Sequence, residues 1–342
     1  MIYFRADANE KIGTGHIMRC LSVAEAFKEL KKDVCFLVSD TSGAKLVTEK
    51  GFPVMELQSK WNDLDGEISQ LKDILQKGNA DLLIVDSYYV TENYLEQLHE
   101  ITKIAYIDDL NSFVYPVDWV INYNIYAPDI SYKEAYEKAG KYDTNFLLGA
   151  KYAPLRKEFQ NRNHGIKDKI EKILVTSGGT DERDTLGNVL DVFSKKEWFS
   201  EYEYYVVLGK FNVHKDALTA KWQNIKNVHL LYHISDMAEY MMLCDFAITA
   251  AGSTTYEMCA CGIPAVSYIM ADNQKSVASK FHELGLVPYL GDVRSDMEGV
   301  TEKICETMEQ LRVDKEKRQI QSNDMKNTVD GKGAMALAKE LV

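Results

Sequence analysis

No run of about 18 apolar residues occurs in the sequence, so no membrane-spanning helix is expected. No Cys-x-x-Cys pair occurs either. The six cysteines, Cys20, Cys35, Cys244, Cys259, Cys261 and Cys305, are scattered. Cys259-Ala-Cys261 alone lacks the partners of a zinc site, and reduced, mostly buried thiols of a cytoplasmic protein are expected. The opening MIYFRAD has neither a basic segment nor an apolar core ahead of it, so no signal peptide is expected. Excess positive charge is also missing: the net charge is -12. Such a chain repels a nucleic-acid backbone, although helix N-termini can still hold an anionic nucleotide locally.

What is present is ordinary globular material, 46% hydrophobic and 27% charged, in a chain of 342 residues. That length suggests two domains. Short apolar runs alternate with amphipathic stretches from Ile2 to Leu148, and the pattern restarts at Ile173 after the polar stretch Asn161–Lys169. Strand–helix alternation of this kind predicts an α/β protein with two Rossmann-like domains, 1–160 and 161–342, each built on a parallel sheet. The final helix is allowed to pack back on the first domain. Ligands in such sheets bind at the carboxyl ends of strands, and a cleft between the two domains is the expected site.

Three motifs sit at strand-to-helix turns. Arg5-Ala-Asp7 runs into Gly13-Thr14-Gly15-His16, with Arg19 one turn on. Met18 stands where a dinucleotide fingerprint needs glycine, and no Gly-Lys-Ser/Thr follows, so this is neither a dinucleotide site nor a P-loop. No cofactor is expected. The loop places an imidazole in the first turn of a helix, whose positive end favours the neutral, proton-accepting form. The second motif is Thr176-Ser177-Gly178-Gly179-Thr180-Asp181, and the third is Gly252-Ser253-Thr254-Thr255-Tyr256-Glu257. Both offer small residues and free N–H groups to a diphosphate, and Glu257 could take a ribose diol. The plain alternatives are a glycine turn and a capped helix with Glu257 as its capping partner.

Weaker signals have ordinary readings. His229 and His233 have metal-site spacing but fall on a strand. Asp63-Leu-Asp65 is read as a solvated turn, and Asp314–Arg318 as a solvated helix face. Asp108-Asp109 fits a site or a loop cap equally well, and Tyr88-Tyr89 could line a sugar pocket.

The segment RADANEKIGTGHIMRCLSVA resembles the signature of the UDP-sugar hydrolases of pseudaminic acid biosynthesis. The Ser177–Asp181 loop, the Gly252–Glu257 helix, Tyr152-Ala-Pro-Leu-Arg156-Lys-Glu158-Phe159, Asn273-Gln274 and Asp330-Gly331-Lys-Gly333 follow in the same order. The resemblance implies the GT-B fold. It implies metal-independent, inverting cleavage of UDP-2,4-diacetamido-2,4,6-trideoxy-β-L-altropyranose to free sugar and UDP, in a pathway that supplies surface polysaccharide or flagellin glycosylation. His16 would be the general base, with Asp7 orienting it or the sugar, and Arg5, Gly13, Thr14 and Gly15 on the sugar side. Gly178, Gly179, Thr180, Gly252, Ser253 and Thr254 would meet the diphosphate, Glu257 the ribose, and the backbone at Ile234 the uracil. Asn273 and Gln274 would face the cleft. The rivals are a GT-B glycosyltransferase using a UDP-sugar donor and a non-catalytic UDP-sugar-binding subunit.

Overall fold

The computed structural model describes residues 1–342 and divides them into two compact units. The first comprises Met1–Arg156 with Lys332–Val342, and the second Lys157–Gly331.

In the first unit the order is β1 (Ile2–Ala6), α1 (Gly15–Glu29), β2 (Val34–Val38), α2 (Thr41–Glu49), β3 (Val54–Glu56) and α3 (Ile68–Lys77). Next come β4 (Leu82–Asp86), α4 (Glu92–His99), β5 (Lys103–Ile107), β6 (Trp119–Asn122), α5 (Tyr132–Ala139) and β7 (Asn145–Leu148). The seven strands form one parallel sheet in the order β3-β2-β1-β4-β5-β6-β7. The apolar runs are buried on both faces, as parallel strands covered by helices must be. Alternation along β1 sends Ile2, Phe4 and Ala6 to the face covered by Ile17, Cys20 and Leu21 of α1, and Tyr3 to the face covered by α3 and α4.

The second unit runs β8 (Lys172–Thr176), α6 (Thr185–Ser194), β9 (Glu203–Leu208), α7 (Lys215–Trp222), β10 (Val228–Tyr232), α8 (Met237–Leu243) and β11 (Phe246–Ala250). It continues with α9 (Ser253–Cys261), β12 (Ala265–Ile269), α10 (Lys275–Glu283), β13 (Tyr289–Asp292), α11 (Met297–Val313) and α12 (Lys315–Thr328). Its six parallel strands are ordered β10-β9-β8-β11-β12-β13.

The last helix, α13 (Gly333–Glu340), packs on α1, so it belongs to the first unit. Gly333 opens it against the chain at Tyr152–Ala153. A Cβ there would sit 2.2 Å from the Ala153 carbonyl oxygen, so only glycine allows this approach.

The Asp314–Arg318 run departs from its expected solvation. Asp314 caps α12 by accepting from Lys317 N, but Arg318 turns inward and is 1% exposed. Its guanidinium donates to the carbonyls of Leu311, Lys167 and Asp168, three backbone acceptors that a charge pattern does not reveal. All six thiols are buried and unpaired. No helix is long and apolar enough to cross a membrane.

Candidate functional site

In each sheet the strand order reverses direction at one point, between β1 and β4 in the first unit and between β8 and β11 in the second. The loops leaving such neighbours part to opposite faces and open a crevice at their carboxyl ends. The sequence motifs fall at these two points.

In the first unit, β1 is followed by a loop closed on itself, with Asn9 and Gly13 exchanging backbone hydrogen bonds. Asn9 Oδ1 accepts from Lys11 N and Ile12 N. Gly13 is half-buried, while Thr14 and Gly15 are exposed at the start of α1. His16 and Arg19 are three residues apart and so share one face of α1. Both reach Asp86, the last residue of β4, whose backbone is paired in register with Ala6. Asp86 shares the strand parity of Leu82 and Ile84, the face covered by α1.

His16 Nδ1 lies 2.5 Å from Asp86 Oδ1, and Arg19 donates from Nε to Oδ2 and from Nη2 to Oδ1, each at 2.5 Å. The Asp86 side chain is fully buried and that of His16 is 6% exposed. Burial works against the Asp86 charge. The Arg19 charge and hydrogen bonds, with the contact to His16, overcome it and hold the carboxyl well below the usual range. An ionised Asp86 fixes the tautomer with hydrogen on Nδ1 and leaves Nε2 as the acceptor. Nε2 has no hydrogen bond to the protein and is not sealed from solvent. The Tyr88 ring stands edge-on to the imidazole, 4.6 Å between centroids. Tyr88 and Tyr89 are both exposed.

Arg5 and Asp7 do not join this group. Parity sends Arg5 to the opposite face, where it is 0% exposed. It donates to Glu67 from Nε at 2.5 Å and from Nη2 at 3.0 Å, and to Asp7 Oδ2 from Nη1 at 2.6 Å. The other Asp7 oxygen accepts from Ser39 N at 2.7 Å. Glu67 also takes the hydroxyls of Ser59 and Tyr94. All three guanidinium nitrogens donate inside the fold, and the side chain is buried away from the surface. Asp7 ties β1 to the end of β2, and Asp86 is the carboxylate that orients His16.

Asp108 and Asp109 separate. Asp108 is buried and organises its own loop, accepting from Leu110 N, Asn111 N and the hydroxyls of Tyr115 and Tyr132. Asp109 turns toward α1 and meets Arg19. Asp65 accepts from Thr91, and His229 pairs with Glu203.

In the second unit, a cavity of about 560 Å³ gathers Ser177–Thr180, Gly252–Thr254 and Gln274, with Arg183 and Arg294 on its walls. The two helix starts are not equivalent. α6 begins only at Thr185, and Asp181 already accepts from Thr185 N and Leu186 N. The Ser-Gly-Gly-Thr loop is therefore a wall ahead of a capped helix. α9 begins at Ser253 behind Gly252, with no side-chain cap. Its first N–H groups stay open to an anion. Ser177 Oγ on the wall is buried with no hydrogen-bond partner, as is Thr255 Oγ1, which lies off the cavity lining.

The Arg294 charge is shared by Asp272 and Asp292, and Arg183 stands exposed. Neither arginine carries a motif signal. Gln274 Oε1 accepts from Met270 N, whereas Asn273 is exposed and lies off the cavity lining. Ile234 and Glu257 are also off the lining, one just past β10 and the other one turn into α9.

Residues 172–332 match the glycosyltransferase family 28 C-terminal domain. The UDP-2,4-diacetamido-2,4,6-trideoxy-beta-L-altropyranose hydrolase of Campylobacter jejuni is 26% identical over 81% of this chain and 94% of that one. The spore coat polysaccharide biosynthesis protein SpsG of Bacillus subtilis is 26% identical over 84% of this chain and 82% of that one. An uncharacterized Methanocaldococcus jannaschii protein is also 26% identical, but this chain spans only 54% of its length. Among solved structures, MurG of Acinetobacter baumannii superposes with a TM-score of 0.69 at 15% identity, over 99% of this chain and 98% of that one. The chain thus has the GT-B fold, matches the glycosyltransferase family 28 C-terminal domain over residues 172–332, and resembles the UDP-diacetamido-trideoxy-altropyranose hydrolases.

Proposed function

We propose that the protein hydrolyses a UDP-linked diacetamido-trideoxy sugar to the free sugar and UDP. The observation that carries this reading is His16, held at Nδ1 by an ionised Asp86 and open at Nε2. Nε2 takes a proton from water, the oxygen adds to the anomeric carbon with inversion, and the bond from that carbon to the diphosphate oxygen breaks. UDP departs with the bonding pair. The second unit holds the nucleotide. The open start of α9 at Ser253 and Thr254, with Ser177 on the facing wall, takes the developing diphosphate charge, so no divalent metal is required. Incubation with a panel of UDP-sugars, with NMR of the products, tests the reading. UDP and one free sugar should form with no acceptor added.

A glycosyltransferase is the second reading, favoured by the family 28 domain. It predicts UDP release only when an acceptor is supplied.

The nucleotide site makes a separate prediction through Gly209, just after β9. A Cβ there would fall 2.2 Å from the Gly178 carbonyl oxygen and 2.4 Å from that of Gly179. Gly209→Ala must therefore displace the loop. UDP affinity should fall roughly tenfold, about 1.4 kcal/mol, by calorimetry with chelator present. An unchanged Kd would remove the glycine loop from the nucleotide site.

A further inference from the structure

We infer that Asp109 is a positioning residue for His16, holding both Arg19 and Tyr88, two side chains that contact the imidazole. The inference rests on the hydrolase reading above. Asp109 lies just past β5, and its Oδ2 accepts from Arg19 Nη1 at 2.8 Å and makes a longer 3.4 Å contact with the Tyr88 hydroxyl. Its Oδ1 accepts from Asn124 Nδ2 at 3.1 Å, which fixes the carboxylate plane. Arg19 also reaches the Tyr123 hydroxyl at 2.8 Å, donates to Asp86 from Nε and Nη2, and brings Nη2 to 3.2 Å from His16 Nδ1. Arg19 thus spans two carboxylates on neighbouring strand ends. Tyr88 presents its ring to the imidazole at an interplanar angle of 77°. One carboxylate therefore holds two neighbours of His16, one that also grips Asp86 and one that packs its ring on the imidazole.

Charge supports the same role. With His16 neutral, the group holds Asp86 and Asp109 against Arg19, an excess of one negative charge. The proton that His16 takes from water neutralises that excess. The neighbouring Tyr123, Cys20 and Tyr88 add no charge. Burial pushes the Tyr123 hydroxyl up to about 12, and it raises Cys20 and Tyr88 as well, so all three stay protonated. Without Asp109, protonating His16 would leave the group with net positive charge.

The test compares Asp109→Asn, Asp109→Glu and Arg19→Lys in the whole protein, by steady-state UDP release across pH and by thermal unfolding. Asp109→Asn should lower kcat roughly 10- to 100-fold, the scale on which a small misplacement of a reacting group is felt. KM should change little, and the acid limb of the rate profile should move to lower pH. Asp109→Glu should recover most of the rate. Arg19→Lys should lose it, because a lysine point charge cannot span both carboxylates. A wild-type kcat and pH profile in Asp109→Asn overturns the inference. So does a raised KM with kcat intact, which would place Asp109 on the sugar. So does a lowered unfolding midpoint with an unmoved pH profile, the mark of a purely structural role. Failure of the hydrolase reading shows elsewhere, as wild-type protein that releases no UDP until an acceptor is supplied.

Discussion

His16→Asn or His16→Ala is expected to lower turnover by about 10²–10⁴-fold, the usual contribution of a positioned general base. UDP affinity should stay nearly unchanged, because the nucleotide is assigned to the second unit and His16 belongs to the first. Wild-type activity should fall toward acid pH as the imidazole takes up a proton and can no longer accept one from water. Asp86 does not set that limb. Burial alone would raise its carboxyl, but Arg19 and His16 hold it below the usual range, so it is ionised throughout. A depressed carboxyl loses its contribution only as pH falls below its unfolded value, about 4, through the lower folded one. Rate measurements across pH, with calorimetric titration of UDP into each variant, check all of this. A His16→Ala enzyme with the wild-type rate and profile would remove the imidazole from the chemistry.

The second large effect concerns stability. Arg5→Leu should cost about 3–5 kcal/mol, because it leaves Asp7 and Glu67 buried without their counter-charge. Burial opposes the guanidinium charge, but Asp7 and the hydrogen bond and charge of Glu67 outweigh it and raise the pKa. Urea unfolding of the variant reads the loss directly. A sugar-binding Arg5 would behave otherwise, with a raised KM and an unaltered unfolding midpoint.

This difference shows how far the sequence could be read. The buried strands were legible because a parallel strand covered on both faces is a continuous apolar run, as in Leu82–Val85. β13 was not, because Tyr-Leu-Gly-Asp is short, half-exposed and broken by glycine. The short helices α2, α5 and α7 carry too few apolar residues for a clear period. In the site, His16 and the small-residue turns were legible from their place between strand and helix. The partner of His16 was not. Asp86 is 70 residues away, and only the strand order places it beside β1. Strand alternation did hold the warning: Arg5 lies one residue off the parity of Phe4 and Ala6, which face α1, so it must turn away from His16. The cap on α6 was also hidden, since Asp181 follows the glycine loop and could equally have pointed to solvent.

Hydrolysis at the anomeric carbon is tested most directly by turning over a UDP-linked diacetamido-trideoxy sugar in heavy-oxygen water with no acceptor present. Free sugar and UDP should accumulate together, and the released UDP should carry no heavy oxygen on its terminal phosphate. Heavy oxygen in that phosphate would mean attack at phosphorus, and no UDP release until an acceptor is added would mean a transferase.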